Sequence, residues 1–239
     1  MDYARLLARG VGAWLEYERA CDHSGLFSDK YLAQPIGHIL AGKTKNRARA
    51  EYTHPILAAL MKGPGKRPSV DFVVFGDYPK VEIAVESKWF GKTDVSIDDI
   101  VWDLVRLELL ANDCAECFFV LGGRRRSLDK LFANKAFAQG TTNRQPRPFL
   151  RHDNNVLHSI GIGPIDRKKL GILQPMYERF PTLEFPSQIV TRRSAPFPES
   201  TTIDGYQVYV WKISSLAKRT TFTGERASRM FPVEGSRKE

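Results

Sequence analysis

Cysteine is scarce in this chain, which has only Cys21, Cys114 and Cys117 among its 239 residues. So few thiols, and an odd number of them, exclude the disulfide framework of small secreted proteins and favour a reducing, cytoplasmic setting. The single C-x-x-C pair, Cys114 and Cys117, does not predict structural zinc, because such a site needs four ligands.

Long apolar runs are also missing. No stretch approaches the roughly 18 to 20 apolar residues that span a membrane, and residues 1–5 lack the charged-then-apolar order of a signal peptide. We therefore expect a cytoplasmic protein without a membrane partner. Acidic residues are outnumbered, with 27 Asp and Glu against 36 Lys and Arg, a formal net charge of +9. This surplus favours nucleic acid as a partner but assigns no site.

The composition is that of a globular chain, with 42% hydrophobic and 26% charged residues. The length suits one domain of ordinary size or one domain with an appendage. Changes in composition along the chain divide it into four parts. These are an N-terminal helical segment (1–50), a core (51–138), a C-terminal extension packed on the core (139–217) and a charged tail (218–239).

Hydrophobic periodicity changes from helical to extended and back within the core. Ser28 and Ser96 are expected to cap helices, and Gly122-Gly123 is expected to end a short apolar strand. The predicted helices are 2–20, the element after Ser28, 51–62, 96–112 and 127–136. The predicted strands are 70–75, 81–88, 117–121 and 206–213. This order predicts the α/β class, with a central mixed β-sheet flanked by helices.

Four charged residues lie in the predicted hairpin of strands 70–75 and 81–88, and three of them, Asp71, Glu86 and Lys88, are at the end away from the turn. Side chains alternate across a strand, so Glu86 and Lys88 share one surface. A turn near residues 77–79 puts Asp71 roughly opposite Glu86. Because buried charges are costly unless they are paired or metal-bound, a hairpin that is apolar on both faces predicts a purpose for these three side chains.

Two carboxylates beside an ammonium suit phosphodiester hydrolysis. Mg²⁺ prefers hard oxygen ligands and is commonly held by one or two carboxylates, water and a substrate phosphate. Such an ion can polarise a phosphoryl oxygen, and Lys88 can stabilise the developing charge or orient the attacking water.

Asp71, preceded by Pro68-Ser69-Val70, and the later run Glu86-Ser87-Lys88 resemble the motif of the PD-(D/E)XK nuclease superfamily. Pro68 stands three residues before the aspartate, whereas the family's proline usually precedes it directly. The resemblance covers roughly residues 51–136. It implies a restriction endonuclease-like core with N-terminal helices and a C-terminal extension.

The same resemblance implies a function and roles for the motif residues. It implies a restriction-like or defence endonuclease that hydrolyses DNA with Mg²⁺, with Mn²⁺ as a substitute. Asp71, Glu86 and the Ser87 carbonyl would be metal ligands, and Lys88 would be the catalytic lysine.

Many members of this superfamily carry a further glutamate on a helix before the hairpin. Glu51 is the first choice, because it begins the element that leads directly into Asp71. Glu16 and Glu18 on the first helix are the alternatives, and spacing does not decide between them.

Two basic stretches are candidates for contact with the DNA backbone, because arginine suits bidentate phosphate binding. The residues are Lys43, Lys45, Arg47 and Arg49 in one stretch, and Arg124, Arg125 and Arg126 in the other.

Other functions compete with this hypothesis. A basic DNA-binding protein on a nuclease-like scaffold would share the charge without the catalysis. Residues 37–44 match the P-loop pattern of NTPases, but the mechanism needs a strand before that loop and a helix after it, and the preceding residues predict a helix. A two-fold homodimer would let one active site address each DNA strand, although no interface is identifiable in the sequence.

Overall fold

The computed structural model describes residues 1–59, 68–91, 96–134, 136–138, 148–152, 156–163 and 167–230. Within these residues the helices are α1 (Tyr3–Ala20), α2 (Asp29–Lys43), α3 (Pro55–Ala58), α4 (Ile97–Leu110), α5 (Arg125–Phe132), α6 (Arg167–Arg179) and α7 (Gly224–Met230). The strands are β1 (Ala48–Tyr52), β2 (Val70–Phe75), β3 (Val81–Phe90), β4 (Glu116–Arg124), β5 (Leu157–Gly161), β6 (Glu184–Pro186), β7 (Gln188–Arg193), β8 (Tyr206–Ser214) and β9 (Thr221–Thr223). None of the described helices is long and apolar enough to cross a membrane.

The central sheet is mixed and has seven strands in the order β1-β2-β3-β4-β8-β7-β5. β3 and β4 are parallel, and every other neighbouring pair is antiparallel. The crossover between the two parallel strands contains α4, as parallel pairing requires. The carboxyl ends of β3 and β4 therefore meet at one edge of the sheet, and the α/β prediction is confirmed.

The predicted helix starts at the two serines are confirmed. Ser28 caps α2 by accepting a hydrogen bond from the Tyr31 amide, and Ser96 caps α4 by accepting one from the Asp99 amide. Each cap fixes the residue at which its helix begins.

Helices cover both faces of the sheet, because alternate residues of its strands are apolar on each side. Phe72, Val85 and Phe118 face the α1 and α2 side, whereas Val73 and Ala84 face the α4 side. These two apolar layers, one on each face of the sheet, enclose the middle of the hairpin β2–β3. Glu86 on β3 is therefore in the interior, where its carboxylate requires a partner.

The helix predicted over 51–62 is wrong. Residues up to Tyr52 form β1, which pairs with β2 in the register Ala50 to Phe72, and only Pro55–Ala58 is helical among the described residues. Pairing satisfies the backbone groups of β2 that an exposed edge would leave open, and this tertiary demand outweighs local helix preference. Residues 60–62 lie outside the described residues.

The two glycines predicted to end the fourth strand continue it instead, and α5 then begins at Arg125, not near Ser127. Gly122 and Gly123 pair with Trp89 and Phe90 of β3. A β-carbon on Gly122 would lie 3.2 Å from the Trp89 ring, and one on Gly123 would lie 2.5 Å from the Phe90 carbonyl oxygen. These glycines are needed for close approach of the two strands and not for a turn.

The C-terminal extension supplies part of the central sheet. β8 pairs with β4 over eight residues, and β7 and β5 continue the sheet beyond it. The late strand predicted over 206–213 is thus confirmed. The charged tail is regular up to residue 230, since β9 pairs with β6 and α7 follows; residues 231–239 lie outside the described residues.

Glu108 on α4 leads to a prediction about stability against pH. This carboxylate is buried, and it accepts hydrogen bonds from Ser215 and Arg219. Burial raises the pKa of Glu108, and the charge of Arg219 offsets this only in part. The unfolded chain therefore loses this proton at lower pH than the folded protein, so stability falls as pH rises from about 4.5 through the folded pKa.

Glu108→Gln removes this titration. As pH rises through this interval, we expect the wild type to lose unfolding free energy that the variant does not lose. The difference between the two proteins should therefore increase with pH in urea denaturation measured at several pH values. A difference that is constant with pH would contradict the prediction.

Candidate active site

The hairpin β2–β3 has the register that the sequence predicts at its buried end. Phe72 lies opposite Val85, and continuing this register by one residue places Asp71 opposite Glu86. A bulge between Val74 and Phe75 shifts the register only toward the turn. Asp71 and Glu86 therefore begin the site on adjacent strands.

Asp71 is held by the residue that follows Glu86. One oxygen, Oδ2, accepts hydrogen bonds from the Ser87 amide and the Ser87 hydroxyl, each at 2.8 Å. These two donors leave the second carboxylate oxygen of Asp71 for another ligand. They also set the orientation of the carboxylate without a cationic side chain.

Glu86 is buried, with only 1% of its surface exposed. Arg106 Nη2 lies 2.9 Å from Glu86 Oε1, yet this oxygen receives no aligned hydrogen bond from the described residues. Burial and the nearby charge of Asp103 hold the pKa of Glu86 well above its ordinary value, despite Arg106. An incompletely satisfied buried carboxylate is costly, and a bound cation would relieve that cost.

Glu86 and Lys88 do not pair with each other. Lys88 Nζ lies 3.2 Å from Asp103 Oδ2, a carboxylate of α4. Burial lowers the pKa of Lys88, but the charge of Asp103 and its hydrogen bond outweigh this and raise that pKa. Lys88 therefore remains an ammonium and a hydrogen-bond donor, and does not act as a base.

Sequence reasoning missed the contribution of α4. Arg106 Nη2 lies 2.5 Å from Asp103 Oδ1, and Arg106 Nη1 donates to the Ser69 carbonyl oxygen at 3.0 Å. Burial raises the pKa of Asp103, and Arg106 and Lys88 offset part of this. A signal for Asp103 exists in the sequence. At 100° per residue it falls between Leu107 and Leu110 on the apolar face of the helix, where an unpaired carboxylate would be costly.

Asp29 is a second residue that sequence reasoning missed. It lies in the first turn of α2, and its Oδ1 accepts a hydrogen bond from the Trp89 amide. The pKa of Asp29 is raised above its ordinary value, chiefly because partial burial disfavours the carboxylate. The hydrogen bond from Trp89 and the charge of Lys88 lower this pKa, and the charge of Asp71 raises it. The charge of Asp29 therefore interacts with the charges of Lys88 and Asp71 in the site.

The three glutamates proposed as the upstream acid lie elsewhere. Glu51 is in β1, on the edge of the sheet, with a left-handed φ of 50°. Its carboxylate accepts a hydrogen bond from the Ser69 hydroxyl at 2.9 Å. Glu18 accepts from the Tyr31 hydroxyl at 2.6 Å, and Glu16 lies on the same helix, α1. Among these acids and Asp29, only Asp29 comes from a helix that precedes the hairpin and contacts the end of β3.

The charges of the site do not balance. Four carboxylates, Asp29, Asp71, Glu86 and Asp103, surround the two cations Lys88 and Arg106. With all groups ionised, the cluster carries two surplus negative charges. A divalent cation is the counter-ion that would neutralise this surplus.

A Mg²⁺ ion at this site would have few protein ligands. Within the described part of the chain, no three side chains of His, Cys, Asp or Glu converge so as to hold a metal. Asp71, Glu86 and a main-chain carbonyl such as that of Ser87 would leave the other positions to water and phosphate, which is the usual manner of binding Mg²⁺.

The two basic stretches lie at opposite ends of the strands of the sheet. Lys88 pairs with Leu121 of β4, so Arg124 lies three residues beyond that partner, roughly 10 Å further along the strand. Its guanidinium lies 5.9 Å from the centre of the Tyr206 ring. Arg125 contacts Asp129 and Gln207, and Arg126 is exposed. The Arg124–Arg126 stretch is therefore at the same edge as the site.

The stretch from Lys43 to Arg49 is not brought to the site. Arg47 donates to the Phe75 carbonyl oxygen at 2.7 Å and lies 3.3 Å from Glu82. Glu82 stands six residues before Lys88 on β3, roughly 20 Å away. Lys43 ends α2, Lys45 has a left-handed φ of 54°, and Arg49 lies on β1.

The P-loop pattern at 37–44 is a helix end. Residues Gly37 to Lys43 are the last two turns of α2, and Thr44 donates its hydroxyl to the Leu40 carbonyl oxygen. Since the segment follows helix and not strand, its amides bond within the helix and cannot cradle phosphates. Residues 37–44 therefore do not form a P-loop.

No protein-family model, curated protein or solved structure matches the chain.

Proposed function

We propose that the protein is a Mg²⁺-dependent nuclease that hydrolyses DNA phosphodiester bonds, with a restriction endonuclease-like core. One observation carries the proposal: Asp71, the buried Glu86 and Lys88 lie together at the carboxyl end of β3, where four carboxylates accompany two cations. A hairpin that served only as structure would not retain such an excess of carboxylates.

The side chains of the site have separate roles in the proposed reaction. Asp71 and Glu86 would hold the ion, which supplies positive charge against a phosphoryl oxygen when bound. Lys88, kept protonated by Asp103, donates hydrogen bonds to a substrate oxygen and stabilises negative charge that develops in the transition state. Asp103 is a positioning residue, because it acts through Lys88.

Arg106 is also a positioning residue. Its guanidinium lies between Glu86 and Asp103, and its second nitrogen reaches the Ser69 carbonyl just before β2. It therefore joins the two strands of the hairpin to α4 and limits the movement of the Glu86 carboxylate. Precise placement of a catalytic group on rigid elements is what such a reaction requires.

The substrate assignment to DNA is supported by the basic edge beside the site. Arg124 and Arg126 stand exposed at the end of β4, next to the carboxyl end of β3. Guanidinium groups there would contact phosphates on either side of the scissile bond.

The test is cleavage of supercoiled plasmid DNA by the full chain. We expect nicked or linear products with Mg²⁺ or Mn²⁺ and no products with excess EDTA. Because EDTA removes only the ion, DNA binding in a gel-shift assay should persist in its presence. Absence of cleavage with any divalent metal would overturn the proposal.

A non-catalytic DNA-binding protein is the second candidate function. The observation that favours it is the contact of Arg106 with the buried Glu86, since a resident guanidinium already provides part of the counter-charge. This candidate predicts gel-shift binding that neither Mg²⁺ nor EDTA changes, with no cleavage.

A further inference from the structure

A separate cavity lies on the α1 face of the sheet, at the end of β4 away from the candidate active site. It has a volume of about 480 Å³ and is lined by Tyr3, Arg5, Glu116, Phe118, Arg192 and Lys212 among others. Glu116 stands five residues before Leu121, the partner of Lys88, on β4, roughly 17 Å away along the strand. The site and the cavity do not share residues.

The floor of the cavity holds an unusual pair of like charges. Arg192 on β7 lies directly opposite Lys212 on β8, and Lys212 lies opposite Phe118 on β4. The three side chains therefore form one row on the α1 face. Like charges directly opposite each other on neighbouring strands are destabilising. Glu116 offsets the charge of Lys212, and a bound anion would offset that of Arg192.

The acids that line the cavity are already engaged. Asp2 caps α1 by accepting from the Arg5 amide, and Glu116 pairs with Lys212 at 2.5 Å. Within the part of the chain that the structure describes, the side chains of Arg5 and Arg192 have neither an ion-pair nor a hydrogen-bond partner. Two exposed guanidinium groups thus line this space without an ion-pair partner among the described residues.

The cavity also offers an aromatic surface. The Tyr3 ring is partly exposed and lies 6.4 Å, centre to centre, from the buried Phe118 ring. Small-molecule sites usually occupy about 300 to 1,000 Å³ and combine an apolar surface with a few polar groups that fix orientation. The volume, the aromatic ring and the two guanidinium groups together describe a ligand with a flat ring and a phosphate.

We propose that this cavity binds one nucleotide unit, with its phosphate on Arg5 and Arg192 and its base against Tyr3. The unit is either a free nucleotide or the phosphorylated end of a nucleic acid strand. Since the cavity and the candidate active site lie on different faces, the bound phosphate is not the scissile one. The proposal does not depend on nuclease activity.

Calorimetric titration of the full chain in EDTA tests this site. The probes are AMP, adenosine, and a short oligodeoxynucleotide with and without a 5′-phosphate. We expect AMP to bind at least about tenfold more tightly than adenosine, because each charge-assisted hydrogen bond to phosphate contributes on that scale. Arg5→Gln and Arg192→Gln should each weaken AMP binding about tenfold or more.

Arg19→Gln is the matched control, since Arg19 is exposed on the same helix as Arg5 but at its far end. It should leave AMP affinity unchanged. Equal binding of AMP and adenosine, or equal affinity in all three variants, would overturn the proposal. Tighter binding of the 5′-phosphorylated oligonucleotide than of AMP would assign the site to a strand end, and the reverse would assign it to a free nucleotide.

Discussion

Lys88→Ala is expected to lower Mg²⁺-dependent plasmid cleavage by about 10²- to 10³-fold, the range typical of removing one donor that stabilises charge in the transition state. The ammonium is the more exposed of the two cations of the site, with 23% of its side chain exposed against 11% for Arg106. It is therefore the one placed to reach a substrate oxygen. Initial rates of nicking at saturating Mg²⁺ measure the effect.

Asp71→Ala should lower cleavage by a comparable factor, because it removes a proposed metal ligand. It also removes the acceptor for the Ser87 amide and hydroxyl. Raising the Mn²⁺ concentration should recover part of the activity of Asp71→Ala, as expected of weakened ion binding, and none of the activity of Lys88→Ala.

The same hairpin supplies matched controls. Lys80 and Asp77 lie exposed at its turn, at the end away from the site. Lys80→Ala and Asp77→Ala should cleave at the wild-type rate. If Lys88→Ala and Lys80→Ala are equally active, Lys88 has no catalytic role.

Arg106→Met is expected to destabilise the fold by about 3 to 5 kcal/mol, the usual cost of removing one partner from a buried ion pair. The substitution leaves Glu86 and Asp103, each at most 2% exposed, without the cation that lies between them. Lys88 remains near Asp103, but Glu86 keeps no partner of opposite charge within ion-pair distance among the described residues. Urea denaturation at neutral pH measures the loss.

Arg229→Met is the comparison for this variant. Arg229 forms an exposed ion pair with Glu225 on α7, and exposed pairs of this kind contribute about 0 to 1 kcal/mol. Adding Glu86→Gln to Arg106→Met should recover part of the lost stability, because the uncompensated buried charge is then gone. A loss for Arg106→Met no larger than that for Arg229→Met would show that the buried network is not held by this guanidinium.

The hairpin of the site could be predicted because its determinants are local. Alternation assigns Glu86 and Lys88 to one surface, and the turn at 77–79 sets which residue lies opposite Glu86. Short connections leave few registers that keep both apolar faces buried. The observed bulge beside Phe75 lies on the turn side of the site, so it does not disturb the pairing of Asp71.

The partners of these residues could not be predicted in the same way. Asp29 is 60 positions before the Trp89 amide that it accepts from, and Arg106 donates to a carbonyl 37 positions earlier. No local pattern links such residues. The prediction that Glu51 completes the site depended on a helix over 51–62. Its segment instead forms the edge strand β1, which pairs with β2.

The sequence by itself determined the α/β class, the caps at Ser28 and Ser96, and the hairpin that carries Asp71, Glu86 and Lys88. Each depends on side chains within a few residues of one another and on backbone geometry. Only the tertiary structure decided which helix faces Glu86, that Asp29 and not Glu51 lies near Lys88, and which basic stretch shares the edge of the site. Those placements follow from packing α2 and α4 on opposite faces of one sheet, where burial of apolar surface selects contacts that sequence distance does not reveal.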